Sequence, residues 1–315
     1  MFLESRSPYY SFAQYMRDLV GGDTKVDRVS VDAGFTCPNG HRCFFCDSSG
    51  SSARTPKWPT LREQILHNIS FKKSRLRLRQ REQLKHKFII HFQSFTNTNA
   101  TLQELKSIYD QTIGIDDNII GITISTRSDN LSLEKLQLID SYRTRFPYVA
   151  IELGVQSIHN QSLQFLGRGE THEDFLKVNQ LLKQFPHLDV VAHLMLGIWI
   201  EDEEKMLATA KSMQHFNVKG VKLHFLSVLK DTELAKMYRM RTRDENSKRY
   251  PGLELLSSLQ KSVEISASFI SALPPQMVLH RVAGHGNLRE VIFPKWLPIF
   301  AADLPRLIQE HLLHS

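Results

Sequence analysis

Cysteine is nearly absent from this chain of 315 residues: there are three, at positions 37, 43 and 46. A structural disulfide framework would use an even number spread over long loops, so disulfides do not organise this fold. Long apolar runs are missing too. The longest, from Val190 to Ile200, is interrupted by His193. It is too short to cross a bilayer and suits a buried strand, so no membrane partner is expected. No apolar stretch follows Met1, Phe2, Leu3, Glu4, Ser5 and Arg6, so no signal peptide is expected. Clustered free thiols without an export signal point to a reducing, cytoplasmic setting.

What is present is ordinary in bulk and uneven in detail. Hydrophobic residues make up 41% of the chain and charged ones 23%, the balance of a globular protein. The formal charge is +7. Lys72, Lys73, Arg75, Arg77, Arg79, Arg81, Lys85 and Lys87 face only Glu82 in their segment, so residues 72–87 carry the whole excess. A concentrated basic block favours a polyanionic partner; a solvated helix face is the plainer alternative.

No internal repeat or low-complexity linker interrupts the chain. Short runs rich in Val and Ile recur near 26–31, 87–95, 118–125, 148–156, 189–197 and 218–228. Between them lie helical stripes such as Leu61, Ile65 and Ile69, or Met206, Ala210, Met213 and Phe216. Alternating strand and helix units predict an α/β fold with a parallel sheet. Six units fit a partial or closed α/β barrel, with a doubly wound open sheet as the competitor, and a partial (βα)6 TIM-like barrel is the expected form. The expected division is an N-terminal segment over 1–24, a core barrel over 25–230 and a mainly helical C-terminal extension over 231–315. One long amphipathic helix is expected from Leu253 to Ile270, ended by Pro274-Pro275.

Polar residues gather where the strands should end, on the side where α/β barrels carry their sites. Gln93 to Asn99, Ser125 to Asp129, Glu152 to Ser157, and His193 to Gly197 follow this rule. Asn97 to Asn99 and Asp129 could serve as helix caps. Capping does not call for Arg127, Glu152 or Lys222. Lys222 and His224 are two apart and share a strand face; on a lumen face they could handle protons or bind substrate. His91, His193 and His224 could equally be satisfied core histidines, and Phe92, Phe95, Met195 and Trp199 core or pocket wall.

Three thiolates on one tight loop suggest a cluster site with a ligand missing, because a [4Fe–4S] cluster normally takes four. Gly34 and Gly40 allow the loop to fold back and aim backbone N–H groups at an anion. A zinc knuckle of Cys37, Cys43, Cys46 and His41 is the competing reading.

The string Cys37-Pro38-Asn39-Gly40-His41-Arg42-Cys43-Phe44-Phe45-Cys46 resembles the radical S-adenosylmethionine superfamily, and within it the YhcC-like branch related to the elongator catalytic subunit. The resemblance continues in order through Phe92 to Thr98, Thr126 to Asp129, Glu152 to Ser157, Arg168-Gly169, His193 to Gly197, Gly220 to His224 and His280-Arg281. It departs from the family at Gly197-Ile198-Trp199-Ile200-Glu201, at Ser128, at Gly284-His285-Gly286, and in a shortened loop between the first two cysteines. The resemblance implies a radical barrel in which Cys37, Cys43 and Cys46 hold a [4Fe–4S] cluster. S-adenosylmethionine would chelate the open iron and be cleaved reductively to a 5′-deoxyadenosyl radical. Thr96, Asn97, Glu152, Gln156, Ser157, Arg168 and Gly197 would be the cofactor-binding set. With no cysteines left for a second cluster, an external one-electron donor, flavodoxin or ferredoxin, is implied. Modification of the tRNA wobble-uridine side chain is the expected activity, with tRNA meeting residues 72–87 and the C-terminal extension. A small-metabolite substrate, and a non-enzymatic zinc-dependent RNA-binding protein, are the alternatives.

Overall fold

Runs such as Ile119–Thr126, buried at every position, can only be central strands covered on both faces. The computed structural model bears this out; it describes residues 7–40, 43–47, 58–76, 85–242, 250–284 and 287–314. The strands are β1 (Thr24–Val31), β2 (Lys85–Phe92), β3 (Ile119–Thr126), β4 (Tyr148–Gln156), β5 (Asp189–Leu196), β6 (Gly220–Phe225), β7 (Val228–Leu229), β8 (Val278–Gly284) and β9 (Val291–Phe293). The helices are α1 (Phe12–Val20), α2 (Leu61–Ser74), α3 (Leu102–Asp110), α4 (Leu133–Ser141), α5 (Asn160–Phe165), α6 (His172–Leu182), α7 (Glu203–Ser212), α8 (Glu233–Arg241), α9 (Pro251–Leu255), α10 (Leu259–Ala272), α11 (Leu297–Phe300) and α12 (Leu304–His314).

Seven strands form one parallel sheet in the order β1-β2-β3-β4-β5-β6-β8, and β7 pairs with β9 separately. The sheet curls into a partial barrel. Arg28 on the edge strand β1 lies 2.5 Å from His280 on the other edge strand, β8, and 3.7 Å from Glu152 on the central β4. The sequence rhythm predicts six strands. The seventh comes from beyond residue 230, where Val278 and Leu279 pair with Gly220 and Val221. Its pattern is short and flanked by prolines, which hides it among helices.

Helix starts are set by local capping. Thr60 with Glu63, Thr101 with Glu104 and Thr171 with Asp174 form reciprocal capping boxes. The caps therefore fall on Thr101 and Ser132, later than Asn97–Asn99 and Asp129. Asn97 instead donates to the carbonyls of Phe92 and Ser125, tying β2 to β3. The single helix expected over 253–270 is broken into α9 and α10. Ser258 caps α10, and the carbonyl of Leu256 at the break accepts from Trp296 Nε1 at 2.8 Å.

The main core lies between the sheet and its outer helices. A second cluster joins Tyr15 and Met16 of α1 to Ile89, Ile120, Tyr148, Ala150 and Val278 near the strand starts. Helix α1 thus plugs the barrel at the end opposite the cysteine loop. Among the described residues, no helix is long and apolar enough to cross a membrane.

Candidate functional site

The loop after β1 turns back twice. Gly40 N donates to Cys37 O at 3.0 Å and Cys46 N to Cys43 O at 3.1 Å, with Gly40 at φ 57°. The loop is pinned from outside. Asn39 Nδ2 lies 3.3 Å from Cys43 Sγ and 2.9 Å from Gly167 O, and Phe44 N donates to Leu166 O. Gly169 makes room for Asn39, since a Cβ there would sit 2.7 Å from its Oδ1. The result is that Cys37, Cys43 and Cys46 all line one cavity of about 230 Å³.

The thiols are crowded. Burial first, then Cys43, Asp47 and Cys37, push the Cys46 thiol up to about 12. Such a group ionises only with cationic help, which a bound iron cluster would supply. Two guanidiniums stand close. Arg168 Nη1 lies 3.9 Å from Cys43 Sγ, while its Nη2 donates to Gly154 O and pairs with Glu170. Arg127 is held by Asp129 at 2.6 and 2.8 Å. Arg168 Nε and Arg127 Nη1 are buried without a partner. Three thiols, with orphaned guanidinium N–H groups close by, fit an anionic cluster and the amino-acid end of S-adenosylmethionine. No three His, Cys, Asp or Glu among the described residues stand close enough to hold a single metal ion. His41, the fourth ligand of the zinc alternative, lies outside the described residues.

The far wall of the same cavity is a charge network. Glu152 is fully buried, and its Oε2 accepts from Lys222 Nζ at 2.7 Å, His193 Nε2 at 2.7 Å and His91 Nε2 at 3.1 Å. Burial alone would raise its pKa, but Lys222, His91 and His193 outweigh that and hold the carboxyl well below its usual range. Burial pushes His91 and His193 down to about 4, and His224 well below its ordinary value. Lys222 falls to about 8, because burial exceeds the help from Glu152. The imidazoles are therefore neutral at pH 7, and one carboxylate faces Lys222, Arg28 and Arg281. Arg281 lines the cavity with no acidic partner within 4.0 Å among the described residues. The cavity thus has a surplus of positive charge.

The structure gathers most of the expected site residues. Thr96, Glu152, Gln156, Arg168, Lys222 and His224 share the cavity wall with the cysteines. Thr96 Oγ1 lies 3.6 Å from Cys37 Sγ. Three do not reach it. Asn97 is spent on the strand ends. Ser157 Oγ donates to Glu201 Oε1 at 2.5 Å. Gly197, at φ 76°, packs so tightly on Leu256 that a Cβ would lie 2.2 Å from it. Gly197, expected in the cofactor-binding set, is therefore not among the residues lining the cavity. Backbone strain aims two wall residues, since Phe95 and Gln156 hold φ of 58° and 64°. Arg28 was missed. A charge alternating with Val26 and Ser30 inside a strand was its signal, but Asp27 beside it masked which face turns inward.

Comparison with known proteins agrees with this geometry. Residues 218–302 match the Radical_SAM C-terminal domain. The uncharacterized protein YtqA of Bacillus subtilis is 30% identical over 295 residues, covering 91% of this chain and 84% of that one. Protein YhcC of Escherichia coli is 26% identical over 313 residues, covering 95% and 94%. A tRNA uridine(34) acetyltransferase of Methanocaldococcus jannaschii is 27% identical over 237 residues, but that match spans 64% of this chain and 42% of the relative. Among solved structures, the archaeal Elp3 of Methanocaldococcus infernus superposes with a TM-score of 0.64 at 19% identity, covering 92% of this chain and 63% of that one. With nearly its whole length shared with YtqA, and a curled parallel sheet of the same kind as Elp3, the chain is an enzyme and belongs to the radical S-adenosylmethionine superfamily, in its YhcC-like branch.

Proposed function

We propose that this enzyme modifies tRNA at the wobble-uridine side chain. Cys37, Cys43 and Cys46 hold a [4Fe–4S] cluster, and Arg168, Gln156 and Thr96 contribute to the S-adenosylmethionine pocket. When bound, these groups supply reductive sulfonium cleavage and hydrogen abstraction. The chain's own residues do the rest. Phe45, Phe95 and Met195 wall the cavity against water. Arg281 and Lys222 receive an anionic substrate group, and Lys222, with its pKa near 8, can donate a proton at neutral pH. His224, neutral at that pH, offers an unpartnered Nε2 for a substrate hydrogen bond. With all three cysteines engaged, electrons come from an external donor such as flavodoxin or ferredoxin.

The observation that carries this reading is the shared cavity: three thiols on one wall and a cationic floor on the other. The RNA assignment is supported by the similarity to tRNA uridine(34) acetyltransferases and by the basic block over 72–87. The test has two arms. Anaerobically reconstituted protein with reductant should release 5′-deoxyadenosine. Nucleosides of tRNA from cells with and without the protein should differ at the wobble uridine. Stoichiometric zinc without iron would reject the radical chemistry; unchanged tRNA nucleosides would reject the substrate. Activity should also decline above pH about 8 as Lys222 loses its proton, a limb that a pH profile of product formation measures.

A further inference from the structure

Helix α2 follows the cysteine loop and leads away toward the start of β2. Its inner face is fixed: Gln64 bonds the backbone of Asp32, Asn68 bonds Ser30 O, and Ile65 and Ile69 are buried. Its outer face is unusual. Phe71 is 53% exposed, Leu66 40%, and Trp58, just before the cap, 37%. Solvation alone does not account for two exposed aromatics on one short segment.

Each exposed ring is paired with a nitrogen-rich side chain. Trp58 lies over His67, with ring centroids 4.4 Å apart and planes at 35°. Arg75 Cζ is 5.6 Å from the Phe71 ring. His67, Phe71 and Arg75 are four apart, so they make one stripe along the helix. A helix of 14 residues is roughly 21 Å long, enough to run beside several nucleotides. Lys72 follows Phe71 in the last turn, whereas Lys73 Nζ is engaged by Asp116 at 3.1 Å. The one acid of the helix, Glu63, is closed into the capping box with Thr60. Two exposed rings with Arg75 and Lys72 beside them, and no free carboxylate among them, match a strand whose bases are unstacked and whose backbone is anionic. A duplex hides its base faces and would use only the cations. An apolar protein segment would gain nothing from Arg75 or Lys72.

We infer that this outer stripe of α2, Trp58, His67, Phe71 and Arg75 with Lys72, docks unpaired RNA by stacking bases on the two aromatic rings. The inference rests on the tRNA reading and deepens it. It places recognition on a loop, beside the helix that issues from the cysteine loop.

The full-length protein offers a direct readout. Trp199 and Trp296 are buried at 1% and 8%, so quenching of intrinsic fluorescence by RNA reports Trp58. The probes are an RNA hairpin with a seven-nucleotide loop and a blunt RNA duplex of equal length. The hairpin should quench and bind at least tenfold tighter than the duplex. Phe71→Ala and Trp58→Leu should each weaken hairpin binding about 5- to 50-fold with an unchanged salt slope. Lys72→Gln with Arg75→Gln should instead flatten the salt dependence by about 1.4 in log–log slope. These side chains are exposed, so thermal melting should stay unchanged and unfolding cannot imitate the result. Hairpin binding that ignores both aromatic substitutions, or equal binding of the duplex, overturns the inference while leaving the tRNA substrate standing. Binding of neither RNA removes the substrate reading together with it. If purified flavodoxin binds in a way that needs Lys72 and Arg75 but not Phe71, the stripe is a protein-docking face and the inference fails.

Discussion

Glu152 is the residue on which the lumen depends. It is the only carboxylate that Lys222, Arg28, His91 and His193 share among the described residues. Glu152→Gln leaves Lys222 buried and uncompensated, a loss on the order of 3–5 kcal/mol. Urea denaturation should show it, and the double change Glu152→Gln with Lys222→Met should recover most of it. The pH dependence follows from the same network. Burial holds His91 and His193 near pKa 4, against 6.5 in the unfolded chain. Between pH 6.5 and 4 the unfolded state takes up protons that the native state refuses, so stability falls as pH falls. Each imidazole contributes up to roughly 3 kcal/mol of that loss. Glu152, depressed well below 4.5, adds a further loss as pH drops through its folded value. Urea midpoints from pH 7 to 4 should drop steadily, and less steeply in His91→Asn. This layer was half legible in the sequence. Glu152 and Lys222 stood out as charges within apolar strands, but no pattern says that residues 70 positions apart form a pair.

At the scale of elements, one of the contacts that pack the residues after 250 against the sheet is made at Gly197. Gly197 at the end of β5 adopts φ 76°, and Leu256, between α9 and α10, fills the space a side chain would need. Gly197→Ala meets both penalties, strain and overlap, and should cost roughly 2–5 kcal/mol. Adding Leu256→Ala should return the overlap part but not the strain part, which calorimetry on the two variants separates. The motif around Gly197 was visible in the sequence, but its purpose was not, because the close neighbour lies 59 positions away. Helix positions were legible because stripes are local, but the caps were misplaced, falling on Thr101 and Ser132 where Asn97–Asn99 and Asp129 were expected. The break at Leu256–Ser258 was not, because the hydrogen bond that satisfies it comes from Trp296.

For the whole molecule, function and foundation sit at opposite ends of the barrel. The cysteine loop opens on the C-terminal side of the strands, and α1 closes the other side with Tyr15 and Met16. Met16 is 1% exposed, so Met16→Ala should cost about 2–5 kcal/mol in urea unfolding. Iron content after reconstitution should stay at the wild-type level, because the plug touches no cavity-lining residue of the cysteine loop. Loss of iron in that variant would show that the two ends are coupled.

The sequence by itself determined the α/β class, the parallel alternation and the three clustered thiols, since each is written in spacing over a few residues. It also marked most of the cavity wall, because polar side chains at strand ends stand out against apolar runs. Tertiary structure alone decided the seventh strand, the meeting of Arg28 with His280 across the sheet edges, and the placement of Asn97, Ser157 and Gly197 outside the cavity lining. The physical reason is the range of the forces involved. Periodicity and capping are settled within a turn or a strand, whereas curling a sheet brings together residues whose partners are fixed only once the whole barrel has formed.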